Sequence, residues 1–308
     1  MHMQEAKEVK DHKALRSRGK RIRKIKEWFV LSGFLFPSFA GVMLFFFLPL
    51  IVIAINSFQK SSTNTEFVGF DNYERVIENK AFLMAGKNTL LFSAMAVPLA
   101  VLLALLLAIL LNTKLPGRSL FRSIFLSPMM VPVASIVLIW QVVFSFNGTL
   151  NTFLGDFGIE KVDWLKTNWG RVVILLLFLW KNLGYNMVLF LSALNNVPVE
   201  LLESARMDGA GSVRRFFSIK LAYLYPTLFF VCIMSLISSF KIFREVYLLT
   251  GDIPFNALYF LQHFMNNAFK SLDYQRLTSA AVIMCLGMIL IVGVLFLAES
   301  RLGRDVEE

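Results

Sequence analysis

Lys181 sits near the middle of an apolar stretch running from about Val172 to Leu194, within Trp180-Lys181-Asn182-Leu183-Gly184-Tyr185-Asn186. A lysine at the centre of a bilayer costs about 2.5–3.5 kcal/mol, so one kept there is a candidate for function. Asn182 and Asn186 share one helix face at i and i+4, with Tyr185 adjoining. Amides and a phenol suit sugar hydroxyls, and the Trp180 indole could stack on a pyranose ring. A plainer reading makes the asparagines hydrogen-bonding glue between helices and lets Lys181 pair with a carbonyl or reach into water. Lys241 and Arg244, at the end of a later stretch, could favour an anionic sugar; equally, such residues snorkel or face an outer vestibule. His2, His12 and His263 have neither metal-ligand nor triad spacing, and Cys232 and Cys285 read as small packing residues in apolar runs. No catalytic constellation is visible. There is no G-x-x-x-x-G-K-[ST] run either, so phosphate-cradling machinery must come from another polypeptide.

The medium that positions these residues is set by composition. Of 308 residues, 56% are hydrophobic and only 17% charged, and the mean hydropathy is +0.63. A soluble domain is nearer one quarter charged, and lacks repeated apolar runs of about 20 residues. The chain therefore reads as an all-α integral membrane protein with six transmembrane helices. The spans fall at about Phe29 to Ile55, Thr89 to Leu111, Phe121 to Phe146, Val172 to Leu194, Leu221 to Phe240 and Leu277 to Ala298. The runs are apolar all round, whereas a membrane barrel would alternate over segments of about 10 residues. Prolines inside them, such as Pro98, Pro128, Pro132 and Pro226, are tolerated where neighbours satisfy the freed carbonyls.

Three parts follow: a basic arm over 1–27, a six-helix domain over 28–300 with a polar loop at about 196–220, and a short tail over 301–308. The arm carries ten Lys/Arg against four acids. Beside a membrane helix such a run is a topology signal facing solvent and lipid headgroups rather than a nucleic-acid arm. With the N-terminus inside, 19 of the 31 Lys/Arg fall on inner segments. Both termini are therefore expected in the cytoplasm, and the Glu203–Gly209 loop with them. Trp28, Trp164 and Trp169 fall near the expected interfaces.

That loop reads as a short helix, a sharp turn and a second helix. Asn196 can cap the first helix and Pro198 suits its first turn; Glu200 favours the same end of the dipole. Val199 to Met207 is a strong helix former, which Asp208-Gly209 stops through a left-handed glycine. Ser212 can cap the second helix, which carries Arg214 and Arg215.

The pattern Glu203-Ser204-Ala205-x-x-x-Gly209, followed by Ile219-x-Leu221-Ala222, resembles the EAA motif (E-A-A-x-x-x-G, then I-x-L-P) of permease subunits in ATP-binding-cassette importers. Ser204 replaces an alanine and Ala222 the proline, which implies an altered approach to the fifth span rather than lost docking. Trp164-Leu165, Trp180 to Asn186, Ala193-Leu194, Val197-Pro198, Phe243, Tyr247 to Gly251 and Ala268-Phe269 resemble the carbohydrate branch, which includes maltose-, multiple-sugar- and glycerol-phosphate-type permeases. The resemblance covers about residue 28 to the end. It implies a type I ABC importer permease fold in the cytoplasmic membrane of a bacterium. It implies partners too: a second homologous permease, a dimer of ATPase subunits that bind ATP and Mg, and an extracytoplasmic binding protein that delivers a sugar. This chain itself would hold no cofactor, no metal and no ATPase site. Glu203, Ser204, Ala205, Asp208 and Gly209 would couple it to the ATPase, and Trp180, Lys181, Asn182, Tyr185 and Asn186 would line the substrate path.

Two other classes compete. A self-contained secondary transporter or channel for a small polar solute would show inverted repeats and intramembrane acids; neither is evident, and no Asp or Glu lies well inside the six stretches. A membrane-embedded enzyme would need catalytic residues that are missing here.

Overall fold

In the computed structural model, the described residues are Trp28, 31–61, 63–113 and 116–302. The arm over 1–27 and the tail residues 303–308 lie outside them. Among the described residues, six helical segments are long and apolar enough to cross a membrane, and the one β feature is an isolated bridge between Gln59 and Phe67. The chain divides into two compact units, 1–56 and 57–308.

The first unit contains α1 (Leu31–Asn56). A π-helical turn at Met43–Phe47 interrupts it, with the Leu48 amide reaching back to the Met43 carbonyl. Pro49 follows at once and lacks the amide that an unbroken ladder needs.

The second unit begins with α2 (Asp71–Ile77) and α3 (Lys80–Leu111). At 32 residues and roughly 1.5 Å each, α3 is about 48 Å long, more than a 30 Å hydrocarbon core requires. Asn79 starts it, its side chain accepting from the Ala81 and Phe82 amides. Ala96, Ala100, Ala104 and Ala108, each fully buried, form a small-residue stripe. That spacing lets helix backbones approach closely where lipid removes the hydrophobic drive for association. Against the stripe packs α7 (Gly170–Asn195), through Ile174, Leu177 and Phe178 at one end and Met187, Phe190 and Leu194 at the other.

The third span departs from expectation. In place of one helix from Phe121 to Phe146, the chain forms α4 (Arg118–Met130), then breaks, then forms α5 (Val133–Phe144) and α6 (Thr149–Gly155). Pro132 causes the break: Val131 is extended, at φ −81 and ψ 134, because an α conformation before proline clashes with its ring. The apolar segment able to cross is accordingly Val133–Gly155. α4 packs against α7 at Gly184, where a Cβ would stand 1.9 Å from the Phe125 carbonyl oxygen. Within α6, buried Asn151 ties down the connection that follows, donating to the Phe146 and Val162 carbonyls and accepting from the Trp164 indole.

Past α7 comes the short α8 (Val199–Met207). A helical turn at Ser212–Arg215 and a π-helical turn at Phe216–Lys220 then lead into α9 (Leu221–Phe240). The fifth span does not end at Phe240 as expected. It bends at Lys241-Ile242 and resumes as α10 (Phe243–Thr250), and the whole crossing segment is Ser212–Thr250. α11 (Leu261–Lys270) packs through Leu261 and Phe264 against α3 and α12, and α12 (Tyr274–Leu302) is the last span, running into the segment expected as tail.

Candidate functional site

The bend between α9 and α10 opens a cavity of about 1000 Å³ against the middle of α7. Irregular backbone at membrane depth is tolerated where it lines such a space. Lys181 is the twelfth of the 26 residues of α7, next to its centre, and its ammonium pairs with the Glu245 carboxylate of α10. Glu245 is 4% exposed. This acid is not revealed by the sequence alone, because the apolar run stops at Phe240 and Lys241 and Arg244 follow. It lies inside the fifth span, contrary to the expectation that no acid did, and it replaces the carbonyl or water partner expected for Lys181.

Of the residues expected along the path, Lys181, Asn182, Tyr185 and Asn186 all line the cavity. Their roles differ. Asn186 is buried and donates to Ser235 Oγ of α9 at 2.9 Å, so its amide joins two helices. Asn182 donates to the Phe178 carbonyl one turn back, at 2.8 Å, which leaves its Oδ1 without a hydrogen bond to any described residue. Trp180 is not among the lining residues. Its indole stacks on Trp140 of α5, ring centroids 5.3 Å apart, so it braces a neighbouring helix. Lys241 and Arg244 are exposed on the cavity wall, with Ser238, Tyr247 and Gln262 nearby.

α11 borders this region through Gln262 and packs against α10. His263 is fully buried, its Nδ1 accepting from the Phe260 amide at 3.2 Å and its ring set edge-on to Phe243 of α10. Burial pushes its pKa down to about 4, so at neutral pH it is an uncharged capping group. Beyond α10, Lys270 binds both Asp252 and the Tyr247 hydroxyl. The hydrogen bond from Lys270 holds the Asp252 carboxyl below its usual range.

The second group of expected residues lies on α8 and the turn after it. Gly209 takes φ +80; its amide bonds the Arg206 carbonyl at 3.1 Å and the Ala210 amide bonds Ala205 at 2.9 Å. This double closure is the Schellman arrangement, which needs a residue in the left-handed region. Ser204 turns its hydroxyl back to the Glu200 carbonyl. The caps fall elsewhere than expected: Asn196 closes α7, Pro198 takes the N-cap position of α8, and Gly211 rather than Ser212 precedes the next helical turn. None of the α8 residues is buried, and Met207 is 90% exposed. α8 thus presents Glu203, Ala205 and Met207 on an uncovered surface, while the two elements it connects, α7 and α9–α10, both wall the cavity.

Residues 96–307 match the family described as binding-protein-dependent transport system inner membrane component. The arabinooligosaccharides transport system permease protein AraP of Halalkalibacterium halodurans is 33% identical over 214 residues, 68% of this chain and 67% of its own. The multiple sugar-binding transport system permease protein MsmF of Streptococcus mutans is 28% identical over 93% of this chain and 99% of its own. Among solved structures, a chain of the bacterial alginate ABC transporter in complex with an alginate pentasaccharide-bound periplasmic protein superposes with a TM-score of 0.80. It does so at 20% identity, over 91% of this chain and 97% of that one; the likeness concerns the fold.

Proposed function

The chain belongs to the family of binding-protein-dependent transport system inner membrane components, and from that premise we propose that it is the permease subunit of an ATP-driven sugar importer. A binding protein outside the membrane delivers a sugar or oligosaccharide, and a second homologous permease completes the path. Paired ATPase subunits, which bind ATP and Mg, drive the cycle from the cytoplasm, where both termini and α8 lie. The sugar reading is supported by the names of the relatives and by a mid-membrane cavity with the Asn182 carbonyl and the Tyr185 phenol on its wall.

The observation that carries the proposal is the position of α8 between the two helical elements that wall the cavity. Docked in an ATPase cleft, α8 is the joint through which closure of the ATPase dimer moves α7 and α9. Glu203 offers a charge to a basic group there. Ala205 allows close approach, and Asp208-Gly209 ends the helix without a bulky side chain. A rigid-body change of this kind needs each state to be favoured by distinct contacts, and nucleotide-dependent docking of α8 provides them.

Gly209→Trp tests the joint. At φ +80 an L side chain is strained, and the indole would fill the space beside the docked helix. The chain should still insert in the membrane and co-purify with its partners, while substrate-stimulated ATP hydrolysis is lost. Gly209→Asn, which tolerates the left-handed conformation, should retain most of it. Full stimulation in Gly209→Trp would remove α8 as the joint.

A further inference from the structure

Among the described residues, two cations on the cavity wall have no counter-charge. Four charged residues line it: Lys181, Lys241, Arg244 and Glu245. Lys181 and Glu245 satisfy each other. Lys241 and Arg244 flank the bend between α9 and α10, both exposed to the cavity, and neither pairs with a described residue. Asp252, farther along, is held by Lys270. The ion pair to Lys181 also sets the bend beside the middle of α7. Two unpaired cations a few residues apart repel each other. A ligand that brings negative charge relieves that repulsion.

We infer that the saccharide accepted by this cavity is acidic, carrying a carboxylate or a sulfate or phosphate ester that is bound between Lys241 and Arg244. The guanidinium of Arg244 presents a planar fork that matches two oxygens of such a group, and the Lys241 ammonium adds a point charge. Asn182 Oδ1 and the Tyr185 hydroxyl, neither bonded to a described side chain, remain for neutral hydroxyls of the same molecule. The inference rests on the sugar-permease reading of this cavity and gives it a substrate class.

The test is uptake by cells expressing the whole importer, over a panel of matched oligosaccharides: neutral, uronate-containing, sulfated and phosphorylated. The wild type should take up acidic members, and the member preferred identifies the anionic group. Lys241→Gln with Arg244→Gln should reduce that uptake at least tenfold, mainly through KM, while Lys241→Arg with Arg244→Lys, which keeps both charges, should retain most of it. Wild-type uptake confined to neutral members, or unchanged acidic uptake in the double-glutamine variant, overturns the inference and leaves the sugar-permease reading intact. Uptake of no member of the panel overturns both.

Discussion

Breaking the Lys181–Glu245 pair from either side should destabilise the protein, and removing both partners should largely restore it. Glu245→Gln leaves the Lys181 ammonium unpaired near the centre of α7, with 25% of its side chain exposed. A lysine at the bilayer centre costs about 2.5–3.5 kcal/mol; partial access to the cavity lowers this to about 2–3 kcal/mol. Lys181→Met leaves the opposite charge on a side chain only 6% exposed, whose Oε2 already lacks a hydrogen-bond partner. Loss of one member of a buried pair there costs about 3–5 kcal/mol. At roughly 2–4 °C per kcal/mol for a domain of this size, the single variants should melt about 4–20 °C lower. Lys181→Met with Glu245→Gln removes both charges and should come back to within about 1–2 kcal/mol of the wild type. Thermal unfolding of the purified complex in detergent, read as a double-mutant cycle, measures the difference. Additive effects, with the double variant the least stable of all, would refute the assignment of this pair as a joined unit.

Two further perturbations probe the frame around the cavity. Gly184→Ala places a Cβ against the backbone of Phe125 and Leu126 on α4, so a helix must shift; a cost of about 3 kcal/mol or more should lower the melting temperature clearly, whereas Gly287→Ala, with nothing within 4 Å, should leave it unchanged or raised. His263 supplies a pH dependence whose sign follows from its pKa of about 4 against an ordinary 6.5. Between those values the unfolded chain binds a proton that the folded chain does not, so stability falls as pH drops from 6.5 towards 4, by on the order of 3 kcal/mol. Protonation at Nδ1 would also remove the acceptor for the Phe260 amide. His263→Phe should flatten the melting-temperature profile over that window; an unaltered slope would show that another group governs it.

The helices and the turn after α8 were legible because their causes are local. Apolar length alone marks a span, and Asp208-Gly209 after a run of strong helix formers announces a left-handed stop whatever lies around it. The breaks were less legible. Pro128 and Pro132 stand four residues apart in one apolar run, and only packing decides that the first stays within α4 while the second ends it. The bend at Lys241-Ile242 leaves no proline or glycine signature at all. Its consequence, the meeting of Lys181 with Glu245 across 64 positions, is a property of the folded bundle. Asn182 and Asn186 share one face of α7, yet only their surroundings separate an amide that joins two helices from one that bonds within its own helix.

The contacts of α7 also decide where the cavity can open. Lys181 binds α10 and Asn186 binds Ser235 of α9, while Ser93 of α3 meets Ser239 of α9 at 2.7 Å. The alanine stripe of α3 closes the third side against α7. These four elements are therefore joined pairwise by buried polar bonds or by close-packed backbone. A pull on α8 is felt by α7 and α9 together, so it moves the cavity wall as one body instead of prising α7 from α10. Access then has to change where this wall meets whatever faces it, which under the proposed function is the second permease. The strength of the Lys181–Glu245 coupling bears directly on that conclusion. A coupling of several kcal/mol keeps the wall whole through the cycle, and one well below about 1 kcal/mol would let α7 and α10 part, moving the gate inside this chain.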